Sequence, residues 1–196
     1  MPARAWHVGV VCVSLAFVWQ WLVVAGEFHG QWSALFLAGD RFEQSAAVKA
    51  EGSYVFAHSD GYDGQTYHAI AHDPLDLYGT DRYVDSPHVR YPRILIPGLS
   101  YVLGLGRLFW IDRAYRGFEL LSVFLGATCL SKLAEKAGRS RWWGMVFLAV
   151  PAVFFSLERM LTDLPLCALI LAALWSAEEQ RDIVRYLRAA SLSVGS

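Results

Sequence analysis

From Ala5 to Gly26 no residue carries a charge, and Arg4 stands directly before the run. At about 1.5 Å per residue, a helix over these positions is about 33 Å long, enough to cross a bilayer's hydrocarbon core. This stretch limits the chain to a membrane architecture or a cleaved leader. The run is long for a leader, and Val24-Ala25-Gly26-Glu27 is a poor small-x-small cleavage site. The reading is therefore a retained anchor whose N-terminus, with Arg4, lies in the cytoplasm.

Composition agrees. Hydrophobic residues make up 55% of the chain, eight residues are tryptophan and the mean hydropathy is +0.32. A net charge of -1 argues against a nucleic-acid partner, which calls for a basic face. Cys12, Cys129 and Cys167 all fall in apolar blocks, so they read as small apolar fillers rather than as disulfides or a metal signature.

The expected organisation has five parts: a first transmembrane helix in 1–26, a polar loop in 27–93, an interfacial or re-entrant helix in 94–111, three further spans in 117–177 and a cytoplasmic tail in 178–196. The fold class is all-α and membrane-embedded, with about four transmembrane helices and a large first outer loop. The short run Ile94–Gly106 contains Pro97, Gly98, Gly104 and Gly106 and is too short to span. The later apolar blocks are about Gly117–Ala134, Trp142–Leu157 and Leu161–Ala177. The connector from Lys132 to Arg141 carries four bases against Glu135, which places it and the tail with Arg181, Arg185 and Arg188 in the cytoplasm. The loop 27–93 and the turn Glu158–Asp163 then share the outer side. Trp32–Leu37 is apolar enough to lie along the interface. Thr162 or Asp163 is expected to cap the last span, with Pro165 in its first turn. The chain reads as the front part of a longer enzyme or as one component of a larger assembly.

Within the loop, Asp60-Gly61-Tyr62-Asp63-Gly64-Gln65-Thr66-Tyr67 places two carboxylates three residues apart, each followed by glycine. A helix is expected to begin near Gly64 and to stop at Asp73-Pro74, because proline disfavours helical geometry in the residue before it. Asp63 and Asp60 are candidate carboxylates for acid–base chemistry, and Asp63 at the same time suits a helix cap. Arg90 and Arg93 are candidate phosphate holders, with Arg159 a weaker one, since the guanidinium fork suits phosphate oxygens. Tyr62, Tyr67 and Asp163 are further candidate substrate contacts. His68 and His72 share one helix face, with Asp63 a turn before them. No cofactor follows from the sequence. A divalent metal on His68 and His72 is left open, because spacing fixes no third ligand.

The pattern Ser33-Ala34-Leu35-Phe36, Gly61-Tyr62-Asp63-Gly64-Gln65, Tyr67, Ala69-Ile70-Ala71, Asp73-Pro74, Tyr91, Arg93-Ile94-Leu95, Pro97, Gly104 and Gly106 resembles bacterial GT-C type polytopic membrane glycosyltransferases linked to cell-surface glycopolymers. Gly138-Arg139, Pro151, Arg159 and Asp163 extend it. The resemblance implies a partial GT-C-like fold in the bacterial inner membrane, with the catalytic acid, Asp63, on a first loop facing the periplasm or exterior. It further implies a polyprenyl-phosphate-linked sugar as donor, substrate contacts that include Gln65, and surrounding membrane lipid. A further membrane subunit is an expected partner. The alternative is a non-catalytic subunit that binds a lipid-linked glycan or a protein of envelope polysaccharide assembly.

Overall fold

The computed structural model describes residues 4–194, and side chains as far as Val184. Among these residues the fold is mostly helical, with nine α-helices and short 3-10 turns between them. The first helix, α1 (Ala5–Glu27), leads into a 3-10 turn at Trp32–Phe36. Strands β1 (Ala38–Gly39) and β2 (Val55–Phe56) pair in parallel around α2 (Ala46–Glu51). Next come α3 (Asp63–His72), α4 (Pro87–Arg90) and α5 (Leu95–Leu103). The second long helix is α6 (Leu108–Lys136), followed by α7 (Val146–Ala149), α8 (Pro151–Arg159) and α9 (Asp163–Val194).

Two of these helices, α1 and α6, are long and apolar enough to cross a membrane. Most of α1 is not buried, and its outward side presents Leu15, Phe17, Val18, Trp21 and Leu22. An apolar face of that size left open is unusual for a water-soluble monomer and ordinary for a helix in lipid.

Helix α6 is the central post, packing on α1, α5 and α9. One core joins α1, α6, α8 and α9 through Cys12, Ala16, Val123, Ala127, Leu157 and Leu164. The second gathers the loop onto α3, α5 and the start of α6 through Phe36, Tyr67, Ile70, Ile96, Ile111 and Tyr115. The loop is thus a folded layer over one end of the helices. At the other end Lys136 pairs with Glu179 and Asp182, so the basic connector and the expected tail sit together, away from the loop.

Several boundaries differ from the sequence reading. Trp32–Leu37 does not lie along a surface: Ala34, Leu35 and Phe36 are buried, because Phe36 stacks on His68 and packs edge-on against Tyr115. The second long helix starts at Leu108, nine residues before Gly117, so the expected 94–111 element is split between α5 and the first turn of α6. Block Trp142–Leu157 is a 3-10 turn and two short helices. Pro151 holds Val150 extended (φ -70°, ψ 120°) and opens α8 at its first position. The last helix runs on through the expected tail to Val194, with Pro165 in its first turn; positions 195–196 of that tail lie outside the described residues.

Candidate functional site

Tyr62 is extended (φ -145°, ψ 174°) and turns the chain into α3, whose first residue is Asp63. The helix stops at His72 before Asp73-Pro74, as expected from the proline. Asp63 is not the cap, however. Its two carboxylate oxygens accept from Arg90 Nη1 and Nη2 at 2.5 and 2.6 Å. Gly64 is required by a close approach: a Cβ there would run into the backbone carbonyls of Arg159 and Phe36.

Arg90 is a hub. Its Nε and Nη2 also donate to Asp85, at 3.2 and 2.9 Å, and Thr66 Oγ1 donates to Asp85 at 3.0 Å. The Asp63 hydrogen bonds hold the guanidinium charged more firmly than usual, and Arg90 in turn holds the Asp85 carboxyl below its ordinary range. From this clamp a line of candidates runs outward. Arg90 lies 5.7 Å from the centre of the Tyr67 ring, Arg93 Nη1 donates to Tyr67 Oη at 3.2 Å, and Arg93 stands 3.7 Å from Asp163. Arg159 lies 4.3 Å over the Tyr62 ring. The expected sharing of one side by the loop and the turn Glu158–Asp163 is therefore met in the packing.

Other candidates sit differently. Asp60 is exposed and faces Arg41 at 3.5 Å, at the rim of a cleft of about 170 Å³ lined by Tyr62, Asp63, Thr66 and Asp85. Gln65 turns inward. Its amide oxygen accepts from Gly39 N at 3.0 Å and its nitrogen donates to the Asp60 carbonyl at 2.9 Å, so it ties β1 to the motif. Asp85 was not singled out in the sequence; only its place five residues before Arg90 marks it.

A cavity of about 250 Å³ opens beside Arg93 and Asp163, walled by Ile96, Pro165, Leu166 and Leu169. It adjoins an apolar groove of about 150 Å³ along α5, α6 and α9, which shares Leu95, Ile96, Pro165 and Leu169 and continues past Leu99, Phe118 and Leu121. The charged mouth thus leads onto an apolar track.

Behind α3 a second cluster forms. His68 Nε2 lies 2.8 Å from Asp112 Oδ1, 3.2 Å from Glu51 Oε2 and 3.2 Å from His72 Nε2. Asp63 is not among them, so the expected common face divides: the acid looks to Arg90 and the histidines look to α2 and α6. Burial opposes charge on His68, but Asp112 and Glu51 outweigh it and lift its value to about 9. Glu51 stays below its ordinary range because the two histidines offset its burial. Neither Glu51 nor Asp112 was marked in the sequence. The one signal for Glu51 is Gly52, which ends α2 in the left-handed region (φ 72°) and leaves Glu51 as its last residue.

A comparison with protein-family models, curated protein sequences and solved structures found no match.

Proposed function

We propose that this chain is a membrane glycosyltransferase that moves a sugar from a polyprenyl-phosphate carrier to an acceptor at the outer surface, with Asp63 as general base. The observation that carries the reading is the apolar groove of α5, α6 and α9, which ends at Arg93 and Asp163 within one tyrosine of the Asp63–Arg90 clamp. The lipid tail lies in the groove and its phosphate at Arg93 and Arg90. The acceptor hydroxyl attacks the anomeric carbon while the sugar–phosphate bond breaks, the polyprenyl phosphate leaves with the bonding electrons, and Asp63 takes the hydroxyl proton. Tyr62, which is exposed, flanks the sugar, and Arg159 and Asp163 hold its far side; Tyr67, expected as a substrate contact, is buried in the core and serves instead to hold Arg93.

In this arrangement α1, α6, the α7–α8 pair and α9 are the four crossings and α5 is the interfacial or re-entrant helix. The basic end around Lys132–Arg141 faces the cytoplasm and the loop faces outward. A second reading, a non-catalytic subunit that binds a lipid-linked glycan, is favoured by one observation: both Asp63 oxygens are already taken by Arg90.

The test compares surface glycans and lipid-linked sugars in a deletion strain complemented with wild type or Asp63→Asn. Asn keeps the size and loses the base. Restoration by wild type alone, at equal membrane levels, supports the transferase. Equal restoration by both removes Asp63 as base and leaves the binding reading.

A further inference from the structure

Three helices bring one ligand atom or more to a single point. The two histidines come from α3, four residues apart and so on one face; Glu51 ends α2 and Asp112 lies in the second turn of α6. Phe36 stacks on the His68 ring at 4.0 Å and 7°, fixing its orientation. Both histidine side chains are almost wholly buried, at 1% and 0% exposure, while Glu51 and Asp112 keep 14% and 12%.

The distances suit a metal cage. A tetrahedral ion with bonds of about 2.0–2.1 Å sets its ligand atoms about 3.3 Å apart. Here the separations are 2.8 Å (His68–Asp112), 3.2 Å (His68–His72), 3.2 Å (Glu51 to each histidine) and 3.8 Å (His72–Asp112). None of the four atoms is more than 4.8 Å from another. Hydrogen bonds join His68 to Asp112 and to His72, but they leave Glu51 out. Glu51 Oε2 is buried and within 3.2 Å of both Nε2 atoms, yet makes no well-formed hydrogen bond among the described residues. An unpartnered carboxylate oxygen aimed between two imidazole nitrogens is what a shared cation explains.

We propose that Glu51, His68, His72 and Asp112 form a structural site for a divalent transition metal of the Zn²⁺ class. Two neutral imidazoles and two carboxylates around a dication leave the buried site with no net charge. The imidazole donors select against Mg²⁺ and Ca²⁺, and four protein ligands make a closed site rather than one with an open catalytic position. The ion clasps α2 and α3 to α6, and so fixes from behind the helix whose first residue is Asp63. This assignment is independent of the transferase reading.

The experiment uses the full chain on a histidine-free affinity tag, stripped with a chelator and titrated with Zn²⁺. One equivalent is expected to bind and to raise the unfolding temperature. His72→Gln and Glu51→Gln, each keeping its bulk, are expected to weaken binding at least about 100-fold. His29→Gln and Glu43→Gln bind as wild type. Zn K-edge X-ray absorption on the wild type needs no variant and is expected to give four N/O ligands with two imidazoles. Less than a tenth of an equivalent bound, undiminished binding in both ligand variants, or a coordination shell without imidazole overturns the site. Because the readouts are stoichiometry and coordination, the outcome is separable from that of Asp63→Asn.

Discussion

Replacing Arg90 tests whether the motif loop is held by one guanidinium. Arg90 is 13% exposed and makes four N–H···O contacts, two to Asp63 and two to Asp85. Breaking a fully buried pair costs about 3–5 kcal/mol, because a charge is left without a partner. Here the stranded carboxylates keep 41% and 43% exposure, so water takes over part of the loss. The expected cost of Arg90→Met is therefore about 2–4 kcal/mol, or roughly 5–15 °C for a chain of this size. Lysine is a point charge and reaches only one carboxylate well, so Arg90→Lys recovers less than half. In a double-mutant cycle, Arg90→Met with Asp85→Asn couples by about 1–2 kcal/mol. Thermal unfolding of detergent-solubilised protein, followed by circular dichroism, measures all of these. An Arg90→Lys variant as stable as wild type, or a cycle with no coupling, would refute the clamp.

Gly64→Ala, which in an ordinary helix gains about 1 kcal/mol, is expected to lose about 1–3 kcal/mol, because the new Cβ meets two backbone carbonyls that cannot turn aside; the same melting curves read it. Glu119 is fully buried in α6 with neither carboxylate oxygen hydrogen-bonded among the described residues, so Glu119→Met is expected to stabilise by about 1–3 kcal/mol. For Asp85, the folded value is depressed, so its contribution is complete above about pH 5 and disappears as pH falls below about 4 through the folded value. Acid unfolding of wild type should accordingly be steeper there than that of Arg90→Met, and parallel curves would count against the Arg90–Asp85 pair.

The helical class, the first long apolar helix, the stop of α3 at Asp73-Pro74 and the facing of the turn Glu158–Asp163 toward the loop were legible in the sequence. So was the histidine pair on one face of α3. Pro151 marks the break at Val150, but it lies in the middle of the uncharged run Trp142–Leu157, which by length and composition reads as one span. The position of Trp32–Phe36 was hidden for a different reason. An apolar 3-10 turn suits a lipid interface and a protein core equally, and only the layer of α3 above it decides which surface it meets.

Charge-free length, proline geometry and a four-residue spacing act within a turn or two of the chain, and so can be read along it. The tertiary structure alone decided the partners. Asp63 became half of an arginine clamp rather than a cap because Arg90, 27 residues on, reaches it. The histidines gained their third and fourth neighbours from Glu51 on α2 and from Asp112, 44 residues beyond His68. No periodicity links such positions. They meet because α2 and α3 are packed onto the first turns of α6 around the buried Phe36, Ile70, Ile111 and Tyr115, and burial there leaves each polar group no water to turn to.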